Sequence, residues 1–232
     1  LERTKWARTG VLTLMFLVVL GLWHRPVLYP IKALVVFFHE ISHGVAAVAT
    51  GGRIERIDLD PLLGGVCYSR GGSRLVVLPA GYLGSMAWGA ILLVASSRTR
   101  LNRALALSLG VFLLLITLLY VRTLFGFALG LVWGGGLVWL SRHASATANQ
   151  LLLQFLGLTS LLFAVVDIKE DLIDRSVAAS DASQFSLLFG GPPQFWGALW
   201  ILVALGGAVF SLRIALREDP KTPKISERQG SD

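Results

Sequence analysis

Seven apolar blocks of helix length set the terms for this chain, at roughly residues 10–29, 31–49, 79–97, 104–120, 123–140, 149–168 and 195–216. Arg, Lys, Asp and Glu gather between the blocks rather than inside them. A hydrocarbon core about 30 Å thick takes about 20 residues of helix to cross, so blocks of this length read as transmembrane spans. Lipid offers no partner to backbone N–H and C=O groups, which makes the helix the natural form for such a block. With 54% of its 232 residues hydrophobic, the chain is expected to be an all-α polytopic membrane protein with six or seven transmembrane helices. One domain over residues 1–217 is predicted, followed by a disordered polar tail over 218–232, where charge and proline replace apolar residues.

The formal charge of +7 raises the question of nucleic acid, but the basic residues sit at block ends, where they meet lipid headgroups. The bilayer is the expected partner and nucleic acid is not. Cys67 is the sole cysteine, which excludes an internal disulfide and leaves any metal site to His and carboxylate ligands. Residues 1–28 imitate a signal peptide, yet the apolar run passes into Trp23, His24 and Arg25 without a small-residue cleavage pattern, so a retained first span is predicted.

Between the second and third blocks, "GGRIERIDLDPLLGGVCYSRGGSRLVVLP" mixes β-branched residues, charges and Gly pairs. It predicts a short β-hairpin-like or re-entrant segment over about 53–78, tolerable at membrane depth only where protein covers it. Small residues at four-residue spacing, Gly81, Ser85 and Gly89 and again Gly126, Gly130 and Gly134, predict close helix packing. If residues 75–97 re-entered as a hairpin, the basic residues of both ends and of the connecting segments would share one face, as the positive-inside rule prefers.

One block carries chemistry. In "FFHEISHG", residues 37–44, His39 and His43 are four apart and so lie one above the other on a helix, able to turn imidazole nitrogens to one metal ion. Glu40 stands beside that ion without binding it. This is the HExxH arrangement of two zinc ligands and a general base that activates zinc-bound water. If the helix begins near Pro30, His39 lies roughly 14 Å along it, about halfway across a bilayer. Three ionisable groups at that depth are costly unless they act together, which favours a metal site over an inert polar cluster.

A catalytic zinc takes a third protein ligand and keeps one position open. His24 and His143 fall at block ends, where interfacial roles are expected. The carboxylates of "FAVVDIKEDLIDRSVAASDASQF" are better placed. Asp167 is the preferred metal ligand because it follows directly on an apolar block, Asp171 is second, and Asp181 is a further alternative that also suits a helix N-cap. Asp171 and Asp181 are otherwise candidates to support the ligands from behind. A vertical helix from Asn149 would leave Asp167 far from His39, a conflict that tilt or a later helix start would remove.

These residues resemble the site-2 protease family of intramembrane zinc metallopeptidases, and more closely its "peptidase family B-like" branch. The likeness lies in "FFHEISHGVAAVATGGRIERIDLDPLLGGVCYSRGG" and "LPAGYLGSMAWGA", and more weakly in "VVDIKEDL" and "SDASQF". The resemblance implies that His39 and His43 bind Zn²⁺ and that Glu40 activates water. It also implies that the Gly-rich segment after the HExxH helix holds an unwound substrate in extended form. Better-studied members take their third ligand from an Asn-Pro…Asp-Gly motif, which this chain lacks, so Asp167 is not carried over from them. The expected function is that of an intramembrane zinc metalloendopeptidase acting on a membrane protein or peptide, located in a bacterial inner membrane. The rival is a non-proteolytic membrane metal-binding protein using the same His and Asp residues. Retention of Glu40 and the lack of internal repeats speak against it.

Overall fold

The computed structural model describes residues 2–170 and 180–217. Among them run α1 (Glu2–Gly21), α2 (Tyr29–Ala49), β1 (Arg53–Asp60), β2 (Gly64–Arg70), α3 (Arg74–Arg98), α4 (Asn102–Tyr120), α5 (Leu124–His143), α6 (Ala146–Lys169), α7 (Asp181–Phe189) and α8 (Pro193–Leu216). Among the described residues, six helices are long and apolar enough to cross a membrane: Pro26–Ala49, which joins a 3-10 turn to α2, and α3, α4, α5, α6 and α8. The chain is thus a mostly helical membrane protein with one small antiparallel sheet. The expected tail, residues 218–232, lies outside the described residues.

One expectation is corrected, and one conditional arrangement is ruled out. The first block stops early: the apolar part of α1 is only Trp6–Gly21. Arg25 takes an extended conformation (φ −94, ψ 144) because the ring of Pro26 crowds the residue before it out of the helical region. Residues 75–97 do not re-enter, since α3 is one helix of 25 residues with Pro79 inside it. Pro79 stands in the second turn, where the loss of one N–H leaves the rest of the helix intact.

Close contacts between helices rest on small residues, as their spacing predicts. On α3 and α6 the partner numbers run in opposite directions: Ser160 Oγ donates to the Ser85 carbonyl at 2.7 Å, and Gln154 Nε2 donates to Ser97 Oγ at 2.9 Å. Between these pairs, a β-carbon at Gly89 would stand 2.8 Å from the Gly157 carbonyl oxygen, and one at Gly157 would stand 2.8 Å from the Leu93 nitrogen. Backbone touches backbone there, which lets dispersion forces act along both helices.

The two strands form an antiparallel hairpin with Ile57 opposite Cys67. It folds back along α2. At its base, Ile54 and Cys67 press on Gly44, where a β-carbon would collide with Ile54, and at its tip Tyr29 Oη donates to the Pro61 carbonyl at 2.7 Å. The inner face buries Ile57 and Leu59 in the main core with Phe37, Phe38 and Ile41. The outer edge of β1 is taken: the Arg122 N–H donates to the Ile57 carbonyl at 3.1 Å, and the Leu59 N–H to Thr123 Oγ1 at 3.1 Å. Among the described residues β2 pairs with β1 alone. Protein therefore covers the inner face and one edge of the hairpin, the condition for irregular backbone near a membrane interior.

Candidate metal centre

The site is built where α2, β2, α3, α6 and α7 meet. On α2, His39 and His43 lie one turn apart with ring centroids 4.8 Å from each other. Nε2 of His39 is 3.1 Å from Asp181 Oδ2, and Nε2 of His43 is 3.2 Å from the same oxygen. Ligand atoms of the three residues all lie within 4.8 Å of one another. The far nitrogens are engaged as well: His43 Nδ1 is 2.7 Å from the Val77 carbonyl, and His39 Nδ1 is 3.6 Å from Asp167 Oδ2. The hydrogen bond at His43 Nδ1 fixes which nitrogen of that ring carries the proton and frees its Nε2 to accept, as a ligand nitrogen must, while Asp167 faces His39 as a charge.

The space between the ligands suits an ion. A β-carbon at position 81 on α3 would collide with Nε2 of His39 and stand 2.5 Å from Nε2 of His43. Only glycine leaves room there, beside both Nε2 atoms. Two imidazoles and one carboxylate are also a donor set that zinc takes in catalytic sites. Gly84 brings α3 equally close beside it, since a β-carbon there would collide with Ser42 Oγ, which donates to the Phe38 carbonyl.

Glu40, next along the helix, turns to β2 instead. A β-carbon at Gly65 would stand 2.7 Å from Glu40 Cγ, so the strand presses directly on the side chain, and the Cys67 backbone amide hydrogen bonds its carboxylate. Glu40 is 5% exposed, too buried to be a solvated surface charge. A cavity of about 710 Å³ opens between β2, α3 and α7, lined by Glu40, His43, Ser69, Tyr82, Asp181 and Gln184 among others. Burial, and then the nearby Glu40, pushes the Cys67 thiol up to about 12.

Asp181 reaches the site because of how α7 begins. Ser180 Oγ accepts from the Ser183 N–H at 3.2 Å and so supplies the N-cap expected of Asp181. Asp181 is then the first helical residue, its carboxylate free to face the imidazoles. Ala182 and Phe185 bury the other face of α7 against Leu78, Tyr82, Ile168 and Trp200. Tyr82 continues this support to the site, its ring edge-on to His39 with centroids 5.0 Å apart. Burial alone would raise the Asp181 carboxyl, but the His43 and His39 imidazoles outweigh it and hold the group below the ordinary carboxylate range.

Of the residues singled out in the sequence, the structure brings together His39, Glu40, His43, Asp167 and Asp181. The preferred carboxylate, Asp167, stands behind the His39 ring, while the alternative, Asp181, stands between the two Nε2 atoms. The expected depth conflict is absent because α6 runs on to Lys169 and α3 starts at Arg74, so the histidines lie level with the ends of these helices. Asp171 lies outside the described residues. His24 and His143 are exposed, the latter stacked on Trp139. Gly65, Gly81, Tyr82 and the Val77 carbonyl were not anticipated as parts of the site; the glycines of "LPAGYLGSMAWGA" signal Gly81 and Tyr82, the Gly64-Gly65 pair signals Gly65, and nothing in the sequence marks Val77.

A family model described as Peptidase M50B-like matches residues 12–211 of the chain. Neither a curated protein nor a solved structure matches it.

Proposed function

Because the chain belongs to the Peptidase M50B-like family, whose members are membrane metallopeptidases, we propose that it is a zinc endopeptidase that hydrolyses a peptide bond of a membrane protein within or beside the bilayer. The observation that carries this reading is the meeting of His39 Nε2, His43 Nε2 and Asp181 Oδ2 around a space kept open by Gly81, with Glu40 adjacent but outside that set. His39, His43 and Asp181 would hold the ion, and Asp167 would steady His39 from its Nδ1 side. The bacterial inner membrane is the proposed location.

When bound, zinc supplies a Lewis acid that polarises a carbonyl and brings the pKa of water toward neutrality. Glu40 takes one proton from the attacking water as the new C–O bond forms, then passes it to the leaving amine as the C–N bond breaks. The acid and amine so formed exchange the remaining proton to leave a carboxylate and an ammonium, and Glu40 ends as it began. Contact with Gly65 and the Cys67 amide keeps the carboxylate in one place for both transfers. A transmembrane substrate must first be unwound, and the edge of β2 that is unpaired among the described residues, which borders the cavity, is the backbone surface on which an extended chain would pair.

The test compares zinc content and cleavage of a model transmembrane substrate in detergent-purified wild type and Glu40→Gln. Both proteins should carry one zinc, and the variant should lose cleavage by about 10²- to 10⁴-fold, the range for a positioned general base. A wild type that purifies without zinc and fails to take it up would overturn the reading. Zinc-loaded protein that cleaves nothing would favour the non-proteolytic alternative.

A further inference from the structure

The base of the hairpin carries an excess of positive charge, with Glu55, at the bulge of β1, as the acid nearest Arg53 in sequence. At its tip, Asp58 is paired with Arg56 at 3.0 Å, and Asp60 Oδ1 accepts from the Leu62 N–H at 2.5 Å, so each acid there is engaged. At its base, Arg53 and Arg70 stand directly opposite each other in the strand register, and Arg74 opens α3 four residues later. All three are exposed, and none has an ion-pair partner among the described residues. Like charges facing each other across a strand pair destabilise it. Arg74 also lines the catalytic cavity, together with Ser69, Gly71 and Gly72 at the same end.

From these observations, and resting on the peptidase reading above, we propose that Arg53, Arg70 and Arg74 form a recognition site for acidic residues of the substrate, about five positions from the bond that is cut. The spacing follows from the strand. Gly65 lies against Glu40, and Arg70 is five residues further along β2, or about 16 Å at 3.3 Å per residue. A chain paired to β2 advances at the same rate. The odd separation also sets the face: Gly65 and Cys67 point toward α2, whereas Arg70 and Arg53 point away from it, as does Tyr68, on which Arg56 lies at 3.8 Å. A substrate carboxylate level with Arg70 thus has its side chain on the arginine face. Such a carboxylate relieves the repulsion between Arg53 and Arg70 and fixes the register of the peptide bond over the metal, a gain for correct substrates alone.

The experiment measures binding of fluorescent extended peptides to Glu40→Gln protein in nanodiscs of zwitterionic lipid, alongside cleavage of the same peptides by wild type. Each peptide has an apolar centre and carries Glu, or Lys in its place, four to six positions to one side or the other. The expected result is binding about tenfold tighter for Glu on one side only, weakened by salt, with a matching preference in kcat/KM. Arg70→Glu removes the like-charge pair and so folds readily; it should abolish the preference, and Arg53→Glu with Arg70→Glu should reverse it. Arg142→Glu, on α5, should leave it unchanged. Equal binding of Glu and Lys peptides overturns the proposal, even where every peptide is cleaved and the peptidase reading stands. Binding that tracks anionic lipid in the nanodisc and ignores peptide charge also overturns it, and assigns the arginines to headgroups. Charge-selective binding by Glu40→Gln protein with no cleavage by wild type supports the recognition site while the peptidase reading falls.

Discussion

Two helices carry the same stripe of small residues and use it differently. On α5, Gly126, Gly130 and Gly134 face ordinary neighbours: Thr123 and Val121, then Thr117, then Leu114 and the carbonyl of Gly110. On α3, Gly89 meets the α6 backbone in the same manner, but Gly81, two turns earlier, faces Nε2 of both metal-site histidines. Equal spacing therefore secures equal closeness of approach, and nothing more. What is brought close depends on the facing helix, and α2 presents ligands where α4 presents packing atoms.

The sharpest way to break this comparison is to add one methyl group to each stripe. Gly81→Ala places a carbon in the space between the ligand nitrogens, so zinc content and cleavage should both fall to background while the protein still purifies as a folded species. Gly134→Ala, whose β-carbon would stand 2.7 Å from Leu114 Cγ and 3.0 Å from the Gly110 carbonyl oxygen, should cost about 1–3 kcal/mol through separation of α4 and α5, with zinc retained. Metal analysis and thermal unfolding in detergent read the two effects separately. If Gly81→Ala kept full zinc, the space it guards would not be the metal position.

The two carboxylates offer a finer version of the same contrast. Asp181 faces the shared Nε2 space and Asp167 the back of one ring, so Asp181→Ala should abolish zinc binding, while Asp167→Asn should weaken it by about 10- to 100-fold, the usual range for a residue that orients a ligand. Competition against a chromophoric chelator measures both affinities without reference to activity. The reverse order would return Asp167 to the role of third ligand.

The sequence made one half of this centre plain and hid the other, for a physical reason. His39, Glu40 and His43 are related by local helical geometry, which four residues suffice to display. Their carboxylate partner lies 142 residues from His39, and its position depends on where α6 ends and how α7 docks. Ranking the acids by closeness to the apolar block took the site to lie near the midplane. The fold instead sets the histidines level with the ends of α3 and α6, and Asp181 enters on a short helix that crosses nothing. Asp181 suited an N-cap, and the cap is there, but Ser180 provides it. The apolar blocks and the hairpin segment were legible because composition and glycine pairs act over short stretches, whereas the end of the first block turned on the single residue before Pro26.

The smallest expected effect concerns Cys67, which contrasts with the glycines by being a side chain at a tight contact. Its sulfur sits between the hairpin and Gly44, and burial together with Glu40 pushes the thiol up to about 12. The thiolate is the reactive form, so at pH 8 the folded protein should react with iodoacetamide far more slowly than the denatured protein, where the pKa returns to about 8.5. The folded rate should climb with pH until the structure fails or the thiol ionises near the raised value. Removing the charge beside it lowers one contribution to the shift, so Glu40→Gln should label somewhat faster than wild type, by less than burial alone suppresses the rate. Equal labelling of folded and unfolded wild type at pH 8 would show that β2 does not rest on α2, and with it the placement of Gly65 against Glu40 would fall.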